Sequence, residues 1–190
     1  MKIKATHATT WQRAVNFARR TVGKKPIDHD PSDKWKAQML LAEHSPIRTK
    51  EYDIFIEDIP MWVTTHLVRH KIGAEHFIHT QREDRRELDC KRGDLPQGAL
   101  NDGSFALNAQ ALINISRKRL CRKASPETRQ VWEGVKDAVR EIDEVMADKM
   151  VPNCIYQGRC HETECCGYIA TKEHYKTTEK YLKTDYDNEK

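Results

Sequence analysis

The sequence predicts a single domain that combines several amphipathic helices with two short strands. Apolar residues recur at helical spacing in several long segments, and two other segments carry alternating aromatic and β-branched residues. The 190 residues are enough for one hydrophobic core of ordinary size, and no internal repeat or second domain is visible. We therefore expect one domain over residues 1–170, followed by a polar, lysine-rich tail over residues 171–190.

Caps, prolines and apolar stripes locate the elements along the chain. Thr9 or Thr10 caps the first helix, Pro46 ends the second, and Ser125 followed by Pro126 begins the last. The helices are expected at residues 9–22, 32–44, 59–71, 105–123 and 125–150. The strands are expected at residues 49–58 and 76–82, with a loop over residues 95–103.

Composition and charge narrow the class of protein. A mean hydropathy of −0.82 and 33% charged residues are typical of a soluble globular chain, and no apolar run approaches the length of a membrane span. The N-terminus lacks the apolar core of a secretory signal, so we expect a cytoplasmic protein whose six cysteines are reduced. The net charge of +4 is compatible with a phosphate-bearing ligand or with nucleic acid and decides between neither.

The segment over residues 64–82 concentrates histidine and arginine in elements that should be ordered. On a helical wheel, His66, Arg69 and His70 share a face with Trp62. Such a cluster indicates an anionic ligand, a metal ion or acid–base chemistry, although an ordinary surface helix is an open alternative. A metal is disfavoured because Arg69 lies among the histidines and because no glutamate follows His66, as it does in zinc-protease helices.

A second constellation lies on the predicted helix from Asn108 to Arg119. Arg119 falls on the apolar stripe that contains Leu112 and Ile115, where a guanidinium is costly unless an anion or an array of acceptors meets it. That partner could be a protein carboxylate or a bound ligand. A basic cluster in the same part of the chain supports the alternative of a nucleic-acid-binding module, although no recognised binding signature accompanies it. The cluster comprises Arg117, Lys118, Arg122 and Lys123.

Residues 152–167 form a cysteine-rich segment that also holds His161. Its cysteines are Cys154, Cys160, Cys165 and Cys166. Thiolates and an imidazole would suit zinc, but the spacing lacks the paired Cys-x2-Cys knuckles of structural zinc sites. We predict no metal site here, and zinc binding stays open as the alternative to reduced thiols.

Three motifs, in this order, resemble those of the flavin-dependent thymidylate synthases. Arg69-His70-Lys71 followed by Thr80-Gln81-Arg82 resembles the family's Arg-His-Arg and Ser-x-Arg signature. Upstream, Glu43-His44-Ser45-Pro46 is similar to its His-x-Ser/Thr-Pro turn. Downstream, the segment from Asn108 to Arg119 resembles its Asn-Ala-x4-Asn-x4-Arg helix. The matches extend over residues 43–129.

The resemblance implies an α+β fold in which helices pack on a small, mostly antiparallel sheet. It also implies a homotetramer whose active sites are built across subunits. The implied reaction converts dUMP to dTMP with FAD as cofactor, methylenetetrahydrofolate as carbon donor and NADPH as reductant.

The motifs further imply which residues contact each ligand. Those implied for FAD are Ser45, Arg69, His70, Lys71, Asn108 and Asn114. Those implied for the nucleotide are His66, Arg69, Thr80, Gln81, Arg82 and Arg119. Arg119 is implied as the catalytic residue, because a cation at the N3 and carbonyl edge of the pyrimidine stabilises the developing anion.

The chain departs from the family pattern at several positions. Lys71 replaces the third arginine of the signature, Thr80 replaces the serine, and His66 stands where a glutamine is usual. Arg48 stands where a glutamate is frequent, and Arg92 is the candidate for an additional phosphate-binding arginine. These departures leave open a flavin- and nucleotide-binding homologue that is catalytically altered and acts on another pyrimidine.

Overall fold

The computed structural model describes residues 1–87 and 90–186, and within them it contains four strands and eight α-helices. The strands are β1 (Lys2–His7), β2 (Glu51–Pro60), β3 (Ala74–Ile78) and β4 (Leu100–Asn108). The helices are α1 (Trp11–Thr21), α2 (Asp33–Leu41), α3 (Met61–Leu67), α4 (Ala109–Arg119), α5 (Pro126–Ile142), α6 (Glu144–Lys149), α7 (Asn153–Tyr156) and α8 (Lys172–Leu182). Among the described residues, no helix combines the length and the apolar character that a membrane span requires.

The strands form one antiparallel sheet in the order β1-β2-β4-β3. Successive side chains of a strand point to opposite faces, so alternate residues are buried. Tyr52, Ile54 and Ile56 of β2 are buried, whereas Phe55 of β2 and Phe77 of β3 are exposed on the other face. Helices pack on the buried face, which confirms the predicted α+β fold with a small antiparallel sheet.

A buried carboxylate joins distant parts of the core. The Oδ2 atom of Asp143 accepts hydrogen bonds from Trp11 Nε1 at 2.6 Å and from the Tyr52 hydroxyl at 2.8 Å. Its Oδ1 atom accepts the backbone N–H of Met146 at 3.0 Å and thereby caps α6. These three hydrogen bonds offset the cost of burying a carboxylate. Asp143 therefore ties α1 and β2 to the start of α6.

The first two predicted helices and the first predicted strand are confirmed as α1, α2 and β2. The helix predicted over residues 125–150 is two helices, because Asp143 adopts a non-helical conformation and caps α6. The tail beyond residue 171 contains α8, whose last turn is bound by the buried Lys149. Its Nζ atom donates to the carbonyl of Tyr181 at 2.5 Å. The domain limit at residue 170 stays a prediction.

The helix predicted over residues 59–71 ends at Leu67, so the helical wheel that included Arg69 and His70 is wrong. A turn follows Leu67, in which the N–H of His70 donates to the Leu67 carbonyl at 3.1 Å. Gly73, with a φ of +70°, then turns the chain into β3. The second predicted strand is β3, which begins earlier than expected and ends at Ile78.

Two strands were missed. β1 was not predicted, and the expected loop over residues 95–103 runs into β4 at Leu100. The helix predicted to begin at residue 105 begins only at Ala109. No loop separates β4 from α4, because Asn108 ends the strand and caps the helix through a hydrogen bond from the Ala111 N–H to its Oδ1 at 2.9 Å.

Candidate active site

Arg119 lies at the end of α4 and reaches the turn that follows α3. Its Nε atom donates to Nε2 of His70 at 2.9 Å, and its Nη2 atom donates to the backbone carbonyl of His66 at 2.5 Å. Both acceptors are uncharged, and no carboxylate among the described residues pairs with this guanidinium. Burial and the nearby Arg69 guanidinium lower the pKa of Arg119. A partly buried cation without a protein counterion indicates a ligand that supplies anionic or carbonyl oxygens.

His70 holds Arg119 from the turn between α3 and β3. Because a guanidinium only donates, Nε2 of His70 is the unprotonated nitrogen and Nδ1 carries the proton. Burial, followed by the charges of Arg119, His76 and Lys118, lowers the pKa of His70 to about 4. The imidazole is therefore neutral at physiological pH and orients the guanidinium without neutralising it.

The low pKa of His70 predicts a pH-dependent stability. The pKa is about 6.5 for a free imidazole and about 4 here, so between these values the unfolded state binds more protons than the folded state. The free energy of unfolding should therefore be unaffected above this window and fall as the pH drops from about 6.5 to about 4. Urea unfolding across this window measures the slope.

His70→Gln is the informative variant, because glutamine can still accept from Arg119 but does not titrate. The slope should become shallower in this variant without vanishing, since burial also lowers the pKa of His66 and His76. The same substitution at the exposed His29 serves as the control. A slope that is identical in His70→Gln and wild type would contradict the neutral state assigned to His70.

His66 lies on the last turn of α3, close to Arg119 and Arg69. Its Nδ1 atom is 2.9 Å from the Thr128 hydroxyl, and its ring meets Trp62 edge-on with the centroids 5.6 Å apart. Burial and the positive charges of Arg119 and Arg69 lower the pKa of His66. The structure therefore gathers three of the predicted ligand-binding residues around the guanidinium of a fourth, Arg119. They are His66, Arg69 and His70.

A second group of predicted residues lies at a cleft of about 360 Å³ beside the start of α4. The cleft is lined by Glu43, Arg48, Ile72, Asn108, Gln110 and Asn114. Asn108 and Asn114 belong to the set implied for FAD. Ser45 and Lys71 belong to the same set and are exposed. Ser45 lies two residues after the lining residue Glu43, and Lys71 directly precedes the lining residue Ile72.

Glu43 organises the polar wall of this cleft and was not predicted as a site residue. Its carboxylate accepts hydrogen bonds from Nη2 of Arg117 and, at 2.5 Å, from Nε2 of Gln110. The Oδ1 atom of Asn114 accepts from the same two side chains at 3.3 Å. With its oxygen engaged by Gln110 and Arg117, the Nδ2 group of Asn114 has no hydrogen-bond partner among the described residues. The one sign of Glu43 in the sequence is its place in the turn motif that ends at Pro46.

Gly73 packs directly on Asn108. A Cβ atom at Gly73 would lie 2.4 Å from Nδ2 of Asn108, closer than any real side chain approaches. The φ of +70° also favours glycine. The N–H of Asn108 donates to the Gly73 carbonyl at 3.0 Å, so the two residues are fixed to each other. Gly73 thereby sets where the Asn108 amide lies in the cleft wall.

The residues predicted to hold the phosphate make only local contacts. Arg82 forms a bidentate ion pair with Asp84, with N–O distances of 2.9 and 2.6 Å. The hydroxyl of Thr80 accepts the backbone N–H of Arg82 at 3.2 Å. Within residues 1–87 and 90–186, no hydrogen bond or ion pair joins Thr80, Gln81 or Arg82 to Arg119. Within one chain, Thr80, Gln81 and Arg82 are therefore not joined to the nucleotide residues around Arg119 by such interactions. Their assignment to the nucleotide stays a prediction.

The cysteine-rich segment contains free thiols. No disulfide joins the six cysteines, and burial raises the pKa of Cys154 to about 11, with a further contribution from the neighbouring Cys121 and Cys160 thiols. Cys154 is thus a protonated thiol at neutral pH. In the part of the chain that the structure describes, no group of three or more His, Cys, Asp or Glu side chains is arranged to hold a metal ion.

Most of the basic cluster that suggested nucleic acid is paired within the chain. Arg117 pairs with Glu43 and stacks on Tyr156, with its Cζ atom 3.4 Å from the ring centroid. Arg122 pairs with Glu173 at 2.6 Å, and Lys123 lies 3.5 Å from a carboxylate oxygen of Glu164. The largely buried pair with Glu43 takes Arg117 out of the cluster, whereas the pairs of Arg122 and Lys123 are exposed, and a phosphate backbone can replace such carboxylates at little cost, so the nucleic-acid alternative stays open.

Comparison with solved structures identifies the fold. No protein-family model and no curated protein matches the chain. The flavin-dependent thymidylate synthase ThyX from Helicobacter pylori, complexed with FAD and dUMP, is 14% identical with a TM-score of 0.63, and the match covers 80% of this chain and 100% of that chain. The UMP/dUMP methylase PolB from Streptomyces cacaoi, bound with 5-Br dUMP, is 15% identical with a TM-score of 0.60, and the match covers 78% of this chain and 94% of that chain.

Sequence identities of 14% and 15% support a shared fold, whereas the activity has to be argued from the residues of the site. The resemblance found in the motifs is confirmed at the level of architecture, since four-fifths of the chain superposes on the whole of a ThyX subunit. The chain therefore has the fold of the flavin-dependent thymidylate synthases.

Proposed function

We propose that the chain is a flavin-dependent methyltransferase that converts dUMP to dTMP. The observation that supports this most directly is the Arg119 guanidinium, which is partly buried, bonded only to uncharged acceptors and close to Arg69. A pyrimidine nucleotide offers carbonyl and phosphate oxygens, which are the acceptors that this pair of guanidinium groups lacks. The solved ThyX structure of the same fold is a complex with FAD and dUMP.

In this proposal Arg119 is the catalytic residue. It donates to the carbonyl edge of the pyrimidine and stabilises the negative charge that develops when C5 acts as the nucleophile. His70 accepts from Nε and keeps the guanidinium in place. Arg69 and His66 supply further donors to the nucleotide. No nucleophilic side chain is required, because the protein contributes orientation and charge.

The cleft beside α4 suits part of an FAD molecule. The amides of Asn108 and Asn114 and the guanidinium of Arg48 are donors for carbonyl and phosphate oxygens, and the exposed Ile72 offers an apolar surface to a flat ring. When bound, FAD would supply the hydride that completes the methyl group, with methylenetetrahydrofolate as the carbon source and NADPH as the reductant. The proposed cofactor set is Ser45, Arg69, His70, Lys71, Asn108 and Asn114.

Thr80, Gln81 and Arg82 would bind the nucleotide phosphate at a site shared between subunits of a homotetramer. The pair of Arg82 with Asp84 is more than half exposed on both sides. Exposed ion pairs of this kind contribute about 0–1 kcal/mol, so a phosphate dianion can replace the carboxylate at little cost. The local contacts of Arg82 within one chain are compatible with such an exchange.

UMP is the second candidate substrate. The observation that favours it is the fold neighbour PolB, a UMP/dUMP methylase, at nearly the same structural similarity as ThyX. The same guanidinium groups would serve either nucleotide, because uracil and phosphate are common to both. Discrimination would depend on the 2′-hydroxyl of the ribose.

The absorbance spectrum of the purified protein with added FAD tests the proposal. We expect a bound flavin whose spectrum changes when dUMP is added, because both ligands lie against Arg69. With methylenetetrahydrofolate and NADPH present, tritium should be released from 5-tritiated dUMP, and 5-tritiated UMP in the same assay separates the two candidate substrates. Absence of flavin binding under all conditions would reject the proposed reaction. Salt-sensitive binding of nucleic acid by the flavin-free protein would support the binding-module alternative instead.

A further inference from the structure

Three side chains form a hydrogen-bond chain behind the nucleotide residues. The Ser125 hydroxyl donates to the Thr128 hydroxyl at 2.8 Å, and the Thr128 hydroxyl lies 2.9 Å from Nδ1 of His66. Thr128 is completely buried in the first turn of α5, so water does not compete for its hydroxyl. None of the motifs that indicate the nucleotide site includes Ser125 or Thr128.

The direction of this chain determines which nitrogen of His66 carries its proton. A threonine hydroxyl has one proton to give, and the Thr128 oxygen already accepts from Ser125. Its own proton is therefore directed at Nδ1 of His66, which must be unprotonated to accept it. In this arrangement both hydroxyl protons have acceptors. The neutral ring then carries its proton on Nε2.

The tautomer matters because of what surrounds His66. Arg119 donates to the backbone carbonyl of His66, and both Arg119 and Arg69 place positive charge near the ring. An Nε2 lone pair would compete with the ligand for these donors. An Nε2–H group instead adds a third donor, and three donors without an acceptor select an oxyanion.

We propose that Thr128 is a positioning residue that holds His66 in the Nε2–H form, so that His66, Arg69 and Arg119 together donate to the pyrimidine oxygens on which negative charge develops. This inference rests on the proposed function for the identity of the ligand. The state of the His66 ring, in contrast, is a property of the protein without any ligand.

Nitrogen-15 NMR of the full chain with labelled histidine reads the tautomer directly. In the ligand-free wild type we expect His66 to show a protonated Nε2 and an unprotonated Nδ1. Thr128→Val removes the hydroxyl at nearly constant shape, and the ring should then populate both tautomers. The Kd for dUMP should rise about tenfold, as for the loss of one hydrogen bond to a charged group, while FAD affinity stays unchanged. Thr128→Ser should restore both the tautomer and the affinity.

Ser125→Asp is a second variant that does not depend on Thr128→Val folding. Aspartate caps a helix as well as serine does but has no proton to donate, so the Thr128 hydroxyl would turn toward it. His66 must then donate from Nδ1, and the NMR spectrum should show the opposite tautomer. An Nδ1–H form in the wild type, or an unchanged ring in both variants, would overturn the proposal.

A dUMP titration beside the tritium-release assay separates this proposal from the proposed reaction. If the wild type binds dUMP with the Thr128 dependence described above but releases no tritium, the reaction fails and the positioning role stands. If the wild type methylates dUMP and Thr128→Val changes neither the Kd for dUMP nor the tautomer of His66, the positioning role is rejected and the reaction stands.

Discussion

Replacement of Arg119 by alanine should lower the rate of tritium release from 5-tritiated dUMP by about 10²–10³-fold, the usual cost of removing one donor that stabilises a developing negative charge. The guanidinium bonds to His70 and to the His66 carbonyl rather than to the core, so the fold should be retained. Single-turnover measurement at saturating dUMP isolates the chemical step, and circular dichroism reports the fold.

Lys118→Ala is the matched control, since Lys118 is the exposed neighbour of Arg119 on α4. Its turnover should equal that of the wild type. A second readout of Arg119→Ala is the pKa of His70, which should rise once the adjacent positive charge is gone. Turnover retained in Arg119→Ala would reject the catalytic role, whatever happens to His70.

Gly73→Ala should reduce both stability and FAD affinity. A non-glycine residue at a φ of +70° costs about 1–2 kcal/mol of folding free energy. The new Cβ would also lie 2.4 Å from Nδ2 of Asn108, so the amide must move out of the cleft wall. We therefore expect a loss of stability larger than the backbone term alone, together with weaker FAD binding in a fluorescence titration.

Gly23→Ala separates the two contributions. Gly23 has nearly the same φ, +69°, but nothing lies within 4 Å of the position of its Cβ. This control should lose about 1–2 kcal/mol and bind FAD normally. Equal losses of stability in the two variants, with FAD affinity unchanged in both, would show that Gly73 does not set the position of Asn108.

The helix from Asn108 to Arg119 is the part of the site that the sequence predicts best. Its apolar stripe and its final arginine lie in one continuous segment, although the predicted start at residue 105 missed the cap at Asn108. The question left open by the sequence was what meets Arg119. The structure answers it with His70 and a backbone carbonyl, which are acceptors without charge.

β4 could not be recognised because it continues into α4. Phe105 and Leu107 are buried strand residues, and Leu112 and Ile115 are buried helix residues, so the apolar pattern crosses Asn108 without a break. Short buried strands and helices are not distinguished by such a pattern. The helical wheel over α3 was wrong because the helical pattern in the sequence continues through Arg69 and His70, whereas the helix ends at Leu67.

The contacts of Glu43 in the cleft wall could not be predicted, because they join residues that are far apart in the sequence. Glu43 meets Gln110 and Arg117, which lie 67 and 74 positions further along the chain. Likewise, the bond between His66 and Thr128 spans 62 positions. Helical and strand periodicity report which face of an element is buried, but not which distant side chain faces it.

We expect the contacts of Asp143 to form late in folding. Its Oδ2 atom binds Trp11 and Tyr52, which precede it by 132 and 91 positions. Contacts between such distant residues form late, because the intervening chain must lose its loop entropy first. During synthesis β1, α1 and β2 leave the ribosome long before Asp143 does. We therefore expect the apolar surface of these elements to remain uncovered until most of the chain has been made.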